Sequence, residues 1–221
     1  MRLHPHVNFQ FVSVQQECPP ADLIILPGSK NVRADLKLLI ENGWQEILER
    51  HLRYGGKVIG ICGGYQMLGK QINDPDGIED TAGCSKGFGL LDLETTLEAK
   101  KQLANVSGTF SHPAFSGVTV QGYEIHCGTS KINQQQPLLS LAGDDVVYQE
   151  GVCSDDGQMI GTYLHGLFDH AESSNAILNW AGLATNAAVD LNDIREQQLE
   201  RLADTLEEHL TDDALGMLLK C

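Results

Sequence analysis

The chain lacks the features that would announce a binding partner or a membrane. No apolar run approaches the roughly 20 residues that span a bilayer, and no basic-then-apolar signal segment opens it. Positive charge is scarce: 15 Lys and Arg stand against 30 Asp and Glu, for a formal net charge of -15. That balance argues against a nucleic-acid surface and against an anionic membrane. Much of the acidity lies after residue 190. The six cysteines (Cys18, Cys62, Cys84, Cys127, Cys153, Cys221) are far apart and form no CxxC pair. In 221 residues that spacing is neither a disulfide framework nor a zinc site, so no metal is expected and the expected setting is the reducing cytoplasm. There is no internal repeat and no low-complexity tract.

The sequence does contain alternating short elements. "ADLIILPGSK" (21–30) reads as a buried strand ending in a Pro-Gly turn. A helix is expected over 33–52, on the spacing of Leu36, Leu39, Ile40, Ile47 and Leu48. "KVIGIC" reads as a second strand and "GGYQMLG" as a short helix behind it. Strand, helix, strand, helix is the pattern of a parallel sheet with helices on its faces. "DPDG" (74–77) is turn chemistry; a calcium loop is the rival reading of its two Asp residues, and the spacing does not fit one. Further on, "FGLLDLETTL", "VTVQGYEIH" and "DVVYQEG" read as strands, some of them antiparallel. "QMIGTYLHG" reads as one more strand, with His165 near its end. "SSNAILNWAGL" reads as a helix with a Ser cap. The last helix, within 193–210, carries Ile194, Leu199, Leu202, Leu206 and Leu210 at helical spacing, with an acidic opposite face. That charge is most simply a solvated face; a docking helix is the alternative.

Gly60-Ile61-Cys62-Gly63-Gly64 is the chemically suggestive stretch. A nucleophile elbow needs a sharp strand-to-helix turn, with small residues two positions either side of the nucleophile. A thiol there sits at a helix N-terminus, where the dipole favours thiolate. The N–H of Gly63 points where an oxyanion would form. "PGSK" offers a second such donor near Gly28, unless it is an ordinary loop. A structural cysteine in a tight turn is the plain alternative; the elbow glycines and the preceding strand favour the nucleophile. Two histidines close apolar strands, His165 in "GTYLH" and His126 in "GYEIH". Either is a candidate base or a satisfied structural histidine. "GYQMLGK" matches the start of a phosphate-binding loop, but Gln71 stands where Ser or Thr should hold magnesium, and Tyr-Gln-Met-Leu wants to be helix.

"DLIILPGSKN", "GICGGYQMLG", "GYEIHCGTSKI" and "GTYLHGLFD", in this order, resemble the glutamine amidotransferase domain of the cobyric acid synthase family, over roughly residues 18–180. The resemblance implies a class I, flavodoxin-like α/β fold with a mixed, mostly parallel sheet and helices on both faces. It makes Cys62 the glutaminase nucleophile and His165 its base, with Gly28 and Gly63, read above from the two turns, as the oxyanion hole expected beside them. Gln66, Tyr123, Glu124 and His126 become substrate contacts. Glutamine is the implied substrate. The family's full enzyme also carries an N-terminal synthetase domain that uses ATP and magnesium to amidate carboxylates of a corrin substrate. No P-loop appears in this chain, so the expectation is a C-terminal fragment with no cofactor of its own. Residues 1–184 would be the amidotransferase domain and 185–221 a helical extension. Two departures stand out. Most class I glutaminases carry His-Pro-Glu at the base, with the Glu orienting the ring; this chain has His165-Gly166-Leu167 and so lacks that carboxylate, a lack the cobyric and cobyrinic branch shares. Glu124 and Asp169 are the carboxylates in reserve. The family's "GYEIH" usually runs into Met-Gly-Arg; here it meets Cys127-Gly128-Thr129. The alternatives are a cobyrinic diamide synthase-like or peptidoglycan-amidating glutaminase subunit, a cysteine hydrolase without glutamine selectivity, and a non-catalytic subunit.

Overall fold

The structure, a computed structural model, describes residues 1–79, 81–133, 135–143 and 146–210. Its elements run β1 (Leu23–Leu26), α1 (Val32–Glu41), α2 (Trp44–Arg53), β2 (Lys57–Ile61), α3 (Gly63–Leu68), β3 (Gln71–Asp74), β4 (Gly83–Lys86) and β5 (Leu93–Phe110). Then come β6 (Thr119–Ile132), β7 (Leu139–Gly143), β8 (Val146–Glu150), β9 (Val152–Cys153), β10 (Met159–Thr162), β11 (Leu164–His165), α4 (Ala171–Trp180) and α5 (Leu191–His209). Among the described residues no helix is long and apolar enough to cross a membrane.

Two sheets share the core. The first has the order β1-β2-β10-β9; β1, β2 and β10 are parallel and β9 is an antiparallel edge. Its strands are apolar on both faces, as a sheet covered on both sides requires. Ile24, Leu26, Val58 and Met159 pack into one cluster with Leu36, Trp44, Leu48 and Leu68 of α1, α2 and α3. The alternate residues Leu23, Ile25, Ile59 and Ile160 pack into a second cluster with Val106, Val120 and Ile177, from β5, β6 and α4. A fully buried side chain such as Leu48 contributes roughly 2 kcal/mol to this arrangement. The second sheet runs β11-β6-β5-β3-β4, with β7 on β5 and β8 on β7. Among the described residues only β3 and β5 pair in parallel within it; the long β5–β6 ribbon is antiparallel, with one register shift between Thr96 and Lys101.

The expected helix over 33–52 is two helices. Gly43 sits between them at φ 78, a left-handed conformation that glycine adopts without a Cβ penalty. The break lets Trp44 turn inward, where its indole N–H donates to the Val14 carbonyl at 2.9 Å. Ile40, which the single-helix pattern counts as core, is left 43% exposed. "QMIGTYLHG" is likewise two strands. β10 belongs to the first sheet and β11 to the second, with Tyr163 as the step between them. The expected Ser cap on α4 is not there: the helix starts two residues earlier, capped by His170 without a side-chain bond. Ser173 instead lies in the first turn and donates to the Leu167 carbonyl at 2.9 Å. "DPDG" is a turn, tied by the buried Asp74 carboxylate, which accepts from the N–H groups of Ile78 and Glu79 at 2.7 and 3.2 Å. "YQML" is buried helix and no phosphate cradle.

α5 forms as the periodicity indicates, but it buries no residue. Leu199, Leu202 and Leu206 stay 40–58% exposed. Its start is anchored by the Leu191 N–H on the Asp169 carbonyl at 2.8 Å. Residues 211–221 of the expected extension lie outside the described residues.

Candidate active site

Cys62 stands at the sharp bend between β2 and α3. It is the one non-glycine with positive φ among the described residues, at φ 53 and ψ -112. A side chain held there is strained by about 1–3 kcal/mol, and such strain collects at functional positions. The bend closes because its glycines have no Cβ. One on Gly60 would come within 2.7 Å of the Tyr65 Cα, and one on Gly64 within 2.1 Å of the Leu26 carbonyl oxygen. Beyond the elbow, the Cys62 N–H donates to the Thr162 carbonyl at 2.9 Å, and the Sγ donates to the Ile125 carbonyl at 3.4 Å.

The loop after β1 and the end of β11 converge on this sulfur. A Cβ placed on Gly28 would lie 3.7 Å from the Cys62 Cβ and equally 3.7 Å from the His165 Cε1. Thiol, imidazole and Gly28 backbone therefore bound one small space. The Gly63 backbone joins them, because its Cβ position is 2.8 Å from the Ser29 nitrogen. As the first residue of α3, Gly63 has no intrahelical acceptor for its N–H. His165 stacks on Tyr123, with ring centroids 5.1 Å apart and planes 8° off parallel. Its Nε2 is buried and has no hydrogen-bond partner among the described residues. Burial first, then the nearby His126, hold its pKa below the usual 6.5, so the ring is neutral and able to take a proton at neutral pH.

The remaining expected residues divide between two faces of β6. Tyr123 is on the His165 face. Glu124 and His126, on the other, border a cavity of about 390 Å³ together with Tyr65, Tyr148, Glu150 and Tyr163. His126 stacks on Tyr163 with centroids 3.9 Å apart. Its Nδ1 donates to the Gly128 carbonyl at 3.0 Å, and burial lowers its pKa most, with that bond and Glu124 opposing. Gln66 is 2% exposed and donates to the Tyr163 hydroxyl at 3.1 Å and to the Cys127 carbonyl at 3.4 Å. Tyr163 is in turn 2.6 Å from Ser130, so Gln66 is braced from below the elbow. Neither reserve carboxylate hydrogen-bonds to the His165 ring. Glu124 accepts from the Tyr148 hydroxyl, and Asp169 faces Arg195 of α5 at 3.9 Å.

Sequence reasoning missed Glu150 and the Tyr163 step. Glu150 is a 6% exposed carboxyl at the end of β8. Burial pushes it up to about 7 from 4.5, with the bonds from Thr162 and Tyr163 pulling the other way. The only sequence signal was an acidic residue closing the run "VVYQE". Because the native carboxyl holds its proton more tightly than the unfolded one, its contribution to stability is complete below about pH 4.5 and disappears as pH rises through about 7. In urea unfolding over that window, wild type is expected to lose on the order of 3 kcal/mol relative to Glu150→Gln. Parallel pH profiles for the two proteins would contradict this.

Comparison with known proteins agrees with the geometry. The family model for the CobB/CobQ-like glutamine amidotransferase domain matches residues 1–173. The chain is 52% identical over 216 residues to a cobyric acid synthase of Photobacterium profundum, covering 97% of this chain and 43% of that protein. It thus spans less than half the length of that curated relative. Among solved structures, a glutamine amidotransferase crystal structure superimposes with TM-score 0.50 at 16% identity, over 73% of this chain and 79% of that one. PurLQS from Thermotoga maritima gives 0.51 at 17%, over 78% and 84%. At such identities the two structures speak for the fold alone, which is that of the class I amidotransferases. With Cys62 on its strained elbow, an imidazole beside it and the family model spanning both, the chain belongs to the CobB/CobQ-like glutamine amidotransferase domain family.

Proposed function

We propose that the chain hydrolyses glutamine through a thioester on Cys62 and supplies the ammonia for ATP-dependent amidation of corrin carboxylates, as the glutaminase part of a cobyric acid synthase. The observation that carries this reading is the shared space at Gly28, which the Cys62 Cβ and the His165 ring both border at 3.7 Å. The neutral His165 takes the thiol proton. The thiolate attacks the side-chain amide carbon of glutamine, and the oxyanion that forms is held by the N–H groups of Gly63 and of the Gly28 loop. His165 then gives its proton to the departing ammonia. Water, with His165 again as base, releases glutamate and restores the thiol. Amide cleavage by unaided water is slow, and the thioester divides it into two easier steps. The synthetase site that would use ATP, magnesium and the corrin belongs to a domain outside this chain. In this reading the amidotransferase domain is residues 1–184, with the cytoplasm as its setting.

A direct test offers glutamine and asparagine to the purified chain and assays ammonia. Release from glutamine, with asparagine about 100-fold slower, is expected, since a side chain one methylene shorter leaves its amide carbon about 1 Å short of the thiol when its amino-acid end is bound, and a misplacement of that size costs about that much. Labelling of Cys62 by a glutamine-like electrophile should block that release. Equal turnover of both amides would point instead to an unselective cysteine hydrolase.

A further inference from the structure

The chain passes from one sheet to the other in a single residue. Thr162 closes β10 against β2, Leu164 opens β11 against β6, and Tyr163 is the step. A step like this leaves backbone N–H groups without a ladder partner, and buried ones must find another. Here Glu150 supplies it. The Tyr163 N–H donates to its Oε1 at 2.7 Å and the Thr162 hydroxyl to its Oε2 at 2.5 Å. The same Thr162 oxygen accepts the Leu164 N–H at 2.9 Å. The next residue is His165. From the other side, the Thr162 carbonyl receives the Cys62 N–H at 2.9 Å. One carboxyl group therefore braces the peptides that carry both the thiol and the imidazole.

We propose that Glu150 is a positioning residue, whose carboxyl clamps the Thr162–Leu164 step and so sets where the His165 ring stands relative to the Cys62 sulfur. The His165 ring gives this clamp its importance. In Ser-His-Asp sites a carboxylate on the ring orients the imidazole. Here no carboxylate hydrogen-bonds to the ring among the described residues, Nε2 has no partner there, and Tyr123 holds only its flat face. Ring placement then depends on the backbone that delivers it. The junction is also pressed tight on the Glu150 side: a Cβ on Gly151 would be 2.6 Å from the Gly161 carbonyl oxygen. A carboxyl kept this deep in the interior is costly to bury, which a side chain serving packing alone would not require.

The inference rests on the glutaminase reading, and its test separates the two. Glu150→Gln keeps the shape but places an N–H₂ where one acceptor was. For this variant we expect kcat for glutamine to fall on the order of 10–100-fold, as small misplacements of reacting groups do. KM should stay within about threefold, because the groups that bind substrate are untouched. The His165 ring signals in NMR should shift, while those of the remote His51 do not. A folded variant with unchanged kcat and unmoved His165 signals overturns the proposal. If wild type itself releases no ammonia, the functional reading fails, and the His165 signals alone decide the clamp: moved supports it, unmoved overturns it. Should Glu150→Gln not fold, Thr162→Val, which removes only the bridging hydroxyl, is read by the same criteria.

Discussion

Replacing Cys62 with alanine is expected to stop ammonia release from glutamine, by on the order of 10⁴-fold or more, while the protein stays folded. On the proposed mechanism, loss of the Cys62 thiol removes the covalent route itself, and residual oxyanion stabilisation has nothing to act on at a useful rate. Stability should follow a different rule from activity. Alanine keeps the Cβ at φ 53 and so keeps the strain. Cys62→Gly relieves it and is expected to be more stable than Cys62→Ala by about 1–2 kcal/mol, though equally inactive. Ammonia assays beside urea unfolding of the two variants measure both effects. An alanine variant that still turns over glutamine would remove Cys62 from the mechanism.

The second large effect is structural. Gly64→Ala is expected to cost more than about 3 kcal/mol or to prevent folding, because interior overpacking against rigid backbone has no cheap relief. The added methyl would sit 2.1 Å from the Leu26 carbonyl oxygen and 2.5 Å from its carbon, and neither can rotate away. To make room, α3 would have to lift off β1, and Cys62 would lose its bend. Gly89→Ala is the control. It has φ 68 but nothing within 4 Å of the new methyl, so it carries only the conformational cost of about 1 kcal/mol. Denaturant midpoints for the pair test the argument, and equal losses would show that the close approach of Gly64 to Leu26 carries no cost of its own.

Much of the site was legible in the sequence, because local chemistry writes itself locally. The Gly-x-Cys-Gly-Gly run needs no distant partner to be read as a bend: the glycines lie two residues from the thiol and serve the same turn. The apolar strands β1 and β2 were equally plain, since both faces are covered and nearly every residue is apolar. Less legible was anything decided where two elements meet. The apolar spacing over 33–52 runs through Gly43 as one helix, and only the inward turn of Trp44 onto the Val14 carbonyl reveals the break. "MIGTYLH" has the composition of one strand, and nothing local says that Tyr163 changes sheets. Glu124 looked like a carboxylate within reach of His165, yet β6 alternation turns it to the opposite face from Tyr123, which stacks on the ring.

The order of the residues alone determined the elbow, its thiol, the glycines that let it bend, and the strand that ends at His165, because these depend on conformational freedom and side-chain period within a few neighbours. Only the tertiary structure decided that Gly28 borders both the Cys62 Cβ and the imidazole, that no carboxylate among the described residues hydrogen-bonds to the ring, and that Glu150 underlies the junction of the two sheets. Those contacts join segments as far apart in the chain as Gly28 and His165, and which of many such pairings forms depends on packing and hydrogen-bond satisfaction across the whole core.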